Sequence, residues 1–133
     1  MPMIDGSSGE QHTKLKTILV VEDDADLGEF FVQILKDETP HQAILAGDGF
    51  QALKIVRNIK PDLFVLDYQL PSMNGIELYD TLHTTEGLEA VPALFMSANV
   101  PMSELKKRQV HFIRKPFELD DILQTVEKLL RSA

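Results

Sequence analysis

The sequence predicts an α/β fold, a doubly wound parallel sheet covered by helices on both faces. Three observations carry that prediction. Five short apolar runs alternate with five segments of helical character. Gly47, Gly49, Pro61, Pro92, Pro101 and Pro116 fall in the joints between them, where proline and glycine belong. The third run, Leu63-Phe64-Val65-Leu66, sets four large apolar residues in a row, as a strand buried on both faces requires.

Residues 1–15 carry Gly6, Ser7, Ser8 and Gly9 with no periodicity and are expected to be a flexible tail, leaving residues 16–133 as one domain. The first strand is expected at 18–21. Phe30, Phe31, Ile34 and Leu35 then recur at helical spacing, with Asp24 or Asp26 available to cap the first turn. A second strand at 43–46 precedes a helix carrying Ala52, Leu53, Ile55 and Val56. The third strand, 63–66, leads through Pro71 and Gly75 to a helix with Ile76, Leu78, Tyr79 and Leu82. After the fourth strand, 93–96, the helix is expected to be short, roughly two turns from about Pro101 to Gln109. Pro101 and Met102 suit its opening, Ser103 and Glu104 its first turn, and Lys106, Lys107 and Arg108 its last, beside the negative end of the helix dipole. So short a helix depends on Leu105 and Val110 docking to the sheet. A fifth strand at 111–113 and a helix with Leu119, Ile122, Leu123, Val126, Leu129 and Leu130 close the domain.

With 133 residues, 44% of them hydrophobic and 26% charged, the chain has the size and composition of one soluble domain with a single core. It has no cysteine, which removes disulfides and thiolate metal sites and fits a cytoplasmic setting. No apolar run approaches the roughly 18 residues of a membrane span, and the first residues lack the blocks of a secretory signal, so no membrane is expected. A net charge of −8 opposes binding to a phosphate backbone and favours basic partners or bound cations, so no direct nucleic-acid contact is expected.

In an open parallel sheet, ligands bind beyond the carboxyl ends of the strands. There the sequence places Glu22, Asp23 and Asp24 after the first strand, Asp67 after the third, Ser97 after the fourth and Lys115 after the fifth. Taken singly, each has an ordinary explanation: a solvated acidic loop, a helix cap, a turn serine, a surface lysine. Unrelated surface residues would not all fall on one sheet edge. Two carboxylates about 4 Å apart repel by roughly 4 kcal/mol at an effective dielectric near 20, so the cluster calls for a hard dication. Mg²⁺ accepts carboxylates, water and phosphate oxygens, and the absence of an accompanying histidine or thiolate disfavours zinc. With Mg²⁺ bound, Asp67 offers a nucleophilic oxygen to a phosphoryl group, while Lys115 and Ser97 hold the remaining phosphoryl oxygens.

The motifs ILVVEDD at 18–24, AGDGFQAL at 46–53, VLDYQLPSMNG at 65–75, FMSA at 95–98 and RKPF at 114–117 resemble the receiver domain of bacterial two-component response regulators. The resemblance covers the chain from Thr17 to about Arg131. It implies a flavodoxin-like (βα)5 fold with strand order 2-1-3-4-5, and phosphorylation of Asp67 by a sensor histidine kinase or phosphotransfer protein. It further implies that Asp23 is a direct Mg²⁺ ligand, that Glu22 acts through water, and that Asp67 and the backbone carbonyl of Gln69 complete the protein ligands. Ser97 matches the switch hydroxyl, Phe112 the aromatic switch and Lys115 the phosphoryl-binding lysine, with a cis bond expected between Lys115 and Pro116. A downstream partner or output domain would read the switch, with the domain assisting its own phosphoryl transfer and dephosphorylation.

Two departures accompany the match. Asn74 replaces an aspartate common before the loop glycine, a change expected to matter little. Only 18 positions separate Ser97 from Lys115, and the glycine usual before the aromatic position is missing, so the fourth helix is expected to be shortened and the usual receiver dimer weak or absent. A pseudo-receiver that never turns over phosphate would lack an acid, the aspartate or the lysine, and all are present. A phosphatase resembling haloacid dehalogenases would need an aspartate where Gln69 stands, because an amide cannot serve as the general acid. A flavin carrier would need a glycine- and hydroxyl-rich loop where three acids follow the first strand.

Overall fold

The computed structural model describes residues 15–99, 101–108 and 110–131; the predicted tail lies outside the described residues apart from Leu15. In chain order the elements are β1 (Thr17–Val21), α1 (Ala25–Glu38), β2 (Gln42–Ala46), α2 (Gly49–Ile55), β3 (Leu63–Asp67), α3 (Gly75–His83), β4 (Ala93–Ser97), α4 (Met102–Arg108), β5 (His111–Arg114) and α5 (Leu119–Arg131). All strands run parallel in the order β2-β1-β3-β4-β5, which is the expected doubly wound topology. Each strand is slightly longer than its predicted run. Asp67 and Ser97 therefore sit inside the sheet as the last residues of β3 and β4, not just beyond it.

Period-two alternation divides the core. Leu19, Val21, Phe64, Leu66 and Phe95 face α2, α3 and α4, where they meet Ala52, Leu78, Leu82 and Leu105. Ile18, Val20, Leu63, Val65, Leu94 and Met96 face α1 and α5, against Phe31, Leu35, Ile122 and Val126. Burying each such side chain contributes about 1.5–3 kcal/mol, so the central strands are held from both sides. On α1 the buried positions are Gly28, Phe31 and Leu35, and Phe30, expected on the apolar face, is 57% exposed. It lies about 100° around the helix from Phe31 and so points away from the sheet. Leu119, at the first turn of α5, is likewise exposed.

Helix starts are capped as the local sequence dictates. Of the two candidate caps for α1, Asp24 serves, accepting from the Leu27 amide at 3.1 Å. Asp48 does the same for α2 through the Gln51 amide. Asn74 caps α3 in a reciprocal capping box with Glu77, each side chain accepting the other residue's amide at 2.9 Å. Asparagine and aspartate cap equally well, so Asn74 supplies the helix start that an aspartate would, its amide oxygen satisfying an otherwise orphaned helix N–H. The fourth helix is short, with 7 residues from Met102 to Arg108; Gln109, its predicted end, lies outside the described residues. Leu105 is buried and Val110 packs at the edge of the same core, as the docking argument requires.

Candidate functional site

The register brings the chemistry to one edge. Val21 at the end of β1 pairs with Leu66, so Glu22 follows beside Asp67; Asp67 pairs with Met96, and Ser97 with Arg114, so Lys115 follows beside Ser97. Glu22, Asp67 and Ser97 are buried, while Asp23 is exposed at the mouth. One carboxylate oxygen from each of Glu22, Asp23 and Asp67 lies within 4.8 Å of the others. The Lys115 ammonium reaches across to both buried acids, 3.5 Å from Glu22 Oε1 and 3.5 Å from Asp67 Oδ2. The Lys115-Pro116 bond is cis, as expected. Asp24 belongs to the capping of α1 and adds no carboxylate to the cluster, although its amide donates to Glu22 Oε2 at 3.1 Å.

Three carboxyl groups face a single ammonium. Burial pushes the Glu22 carboxyl up to about 7, against the stabilising Asp24 amide, and the neighbouring Asp67 carboxylate adds to the rise. The donor set is all oxygen, two of its three members are buried, and its negative charge exceeds what Lys115 neutralises. Those are the requirements of a hard divalent cation such as Mg²⁺, and the residues present fit one.

Ser97 ends the strand beside that of Asp67, and Phe112 lies on the next strand, paired with Phe95. The Ser97 hydroxyl donates to the Asn99 carbonyl at 3.2 Å and accepts from the Asn99 amide at 3.3 Å, a local turn that keeps it occupied. Phe112 is half-buried against the core face shared by α3 and α4. The Gln69 side chain is exposed, while its backbone N–H donates to Asp67 Oδ1 at 3.2 Å, orienting the carboxylate. Sequence reasoning missed the Asn99 partner of Ser97. It also missed the anchor of α4, where the Arg108 guanidinium grips both carboxylate oxygens of Asp80 on α3 at 2.8 Å. That contact holds the Asp80 carboxyl below the usual aspartate range. No local pattern marks a pair 28 residues apart.

A parallel doubly wound sheet with an acid cluster, an aspartate and a lysine at its carboxyl edge defines a receiver-type site. A family model for the response regulator receiver domain matches residues 18–127, and the chain belongs to that family. It is a receiver domain of two-component signalling. The DNA-binding response regulator MtrA of Mycobacterium tuberculosis is 37% identical over 123 residues, covering 90% of this chain and 52% of that protein. The chain thus spans about half the length of the curated relatives of that type. The non-phosphorylated receiver domain of HemR from Leptospira biflexa superposes with a TM-score of 0.76 at 31% identity, covering 86% of this chain and 94% of that one. The receiver domain of the sensor histidine kinase PA1611 from Pseudomonas aeruginosa shares the fold, with a TM-score of 0.77 at 20% identity over 89% of this chain and 99% of that one. It was crystallised with a magnesium ion coordinated in its active-site cleft. Among the described residues, no helix is long and apolar enough to cross a membrane.

Proposed function

We propose that Asp67 is the phosphoryl acceptor of this receiver and that Glu22, Asp23, Asp67 and the Gln69 carbonyl hold Mg²⁺ beside it. The observation that carries this reading is the convergence of Lys115 on Asp67 and Glu22 at 3.5 Å, next to a carboxylate triad with surplus negative charge. When bound, Mg²⁺ would neutralise charge on the phosphoryl oxygens. Asp67, held by the end of β3 and by the Gln69 backbone N–H, presents an oxygen along a fixed direction. That oxygen attacks the phosphorus of a phosphohistidine or small acyl phosphate, the donor's P–N or P–O bond breaks, the histidine or carboxylate departs, and a new acyl phosphate remains on Asp67. The Lys115 ammonium exchanges its carboxylate partners for a phosphoryl oxygen. Hydrolysis of the acyl phosphate by water then resets the domain, assisted by the same charges.

The downstream reading follows from Ser97. Bonding of its hydroxyl to the phosphoryl group would break its turn with Asn99 and vacate space for the half-buried Phe112 ring. A sensor histidine kinase or phosphotransfer protein supplies the phosphoryl group, and an output domain or separate partner reads the altered face, in a cytoplasmic setting. Incubation with acetyl phosphate and Mg²⁺ is expected to add one phosphoryl group to the wild-type chain and none to Asp67→Asn. Equal labelling of both proteins would refute the assignment.

A further inference from the structure

Asp67 needs its backbone held as well as its side chain, and the start of α3 lies directly against that backbone. The Gly75 amide donates to the Tyr68 carbonyl at 2.8 Å, and the side of Gly75 where a Cβ would stand abuts the peptide between Asp67 and Tyr68. A methyl carbon added at Gly75 would overlap the Asp67 carbonyl oxygen and sit 2.9 Å from Tyr68 Cα and 3.1 Å from the Asp67 carbonyl carbon. The three nearest atoms are all backbone, so no rotamer change relieves the overlap. At Gly28 the same methyl meets only the tip of the Leu45 side chain, which can turn aside. Gly75 is therefore glycine because of close approach to the site strand.

The segment between Asp67 and Gly75 is stiff. Ser72 holds a left-handed φ of 68°, a cost accepted by a non-glycine residue only where the surroundings enforce it. The Met73 amide donates to the Pro71 carbonyl at 2.7 Å, the Met73 side chain packs on Gly49 of α2, and the Asn74–Glu77 box fixes the first turn of α3.

We propose that Gly75 is a positioning residue for phosphoryl transfer: it docks α3 on the Asp67–Tyr68 peptide and thereby aims both the Asp67 carboxylate and the Gln69 carbonyl. The inference rests on the functional reading above and deepens it. A displacement of about 1 Å at reacting atoms can cost on the order of a hundredfold in rate, so a small backbone shift suffices.

The test compares Gly75→Ala with Asp62→Ala. Asp62 accepts from the Thr17 amide at 2.8 Å, at the amino-terminal end of the sheet, so its loss weakens the fold at a distance from the site. Mg²⁺ affinity by calorimetry, labelling rate by acetyl phosphate at saturating Mg²⁺, and melting temperature are measured for each. Gly75→Ala is expected to lose about tenfold or more in both Mg²⁺ affinity and saturated rate. Asp62→Ala is expected to melt lower while keeping both constants within about twofold of wild type, because its lost bond lies far from the reacting atoms. Wild-type constants in a folded Gly75→Ala protein, or an equal loss of both constants in Asp62→Ala, would overturn the proposal. If Gly75→Ala does not fold, one glycine inserted between Pro71 and Ser72 loosens the brace without a clash. The same two losses are expected there, and their absence overturns the proposal. If the wild-type chain takes up no phosphoryl group, the functional reading falls and the Mg²⁺ affinities alone decide the role of Gly75.

Discussion

The carboxyl edge of the sheet and the α4 segment lie a few residues apart in the chain and are held by different physics. The edge is held by backbone: Asp67 and Ser97 end strands that pair on both sides, and the residues just before them, Leu66 and Met96, are fully buried. The α4 segment has 7 helical residues, one buried anchor in Leu105, and a bidentate ion pair from Arg108 to Asp80. A site that must hold several like charges close together benefits from a frame that cannot relax. A segment that must respond to the site benefits from few, separable contacts. The difference sets a paired, buried frame around Asp67 and a short helix with few contacts beside Ser97.

Three substitutions probe that contrast, in falling order of effect. Leu105→Ala removes the only fully buried side chain among the described residues of α4 and is expected to cost about 2–5 kcal/mol in chemical denaturation. A loss well under 1 kcal/mol would mean that α4 is held otherwise than by its core anchor. Asp23→Ala is expected to abolish the stabilisation by Mg²⁺, which at 100 times the dissociation constant amounts to about 2.7 kcal/mol. It is also expected to raise the melting temperature of the metal-free protein, because one of three clustered carboxylates is gone. A full Mg²⁺ shift in the variant would remove Asp23 from the site. Asp80→Ala is expected to cost at most about 1 kcal/mol, shrinking with added salt, because the Asp80 side chain is 51% exposed. Its signature is faster amide exchange in residues 102–108 with unchanged Mg²⁺ affinity. Protection of α4 equal to wild type would show that the ion pair does not hold the helix.

Much of the fold was legible because its signals are local. The apolar run ending in Asp67 announces a buried strand with a carboxylate at its mouth, and the 18 positions from Ser97 to Lys115 leave room for only a short helix. The convergence of Glu22, Asp67 and Lys115 was legible through one topological rule, that strand ends of a parallel sheet share an edge. What escaped was non-local or a matter of facing. Phe30 and Phe31 both fit a helical pattern, and only packing against the sheet shows that Phe31 turns inward. Asp80 and Arg108 meet because α3 and α4 lie side by side, which neither sequence neighbourhood announces.

The central claim is that the carboxylate at the end of β3, and no other in the chain, carries the phosphoryl group. Borohydride reduction of the acetyl-phosphate-treated protein converts an acyl-phosphorylated aspartate to homoserine, which peptide mass spectrometry locates. Homoserine is expected at position 67, formed only when Mg²⁺ was present and strongly diminished in Lys115→Ala. Homoserine at Asp23 or Asp24, or none anywhere in a protein that had gained phosphoryl mass, would contradict it.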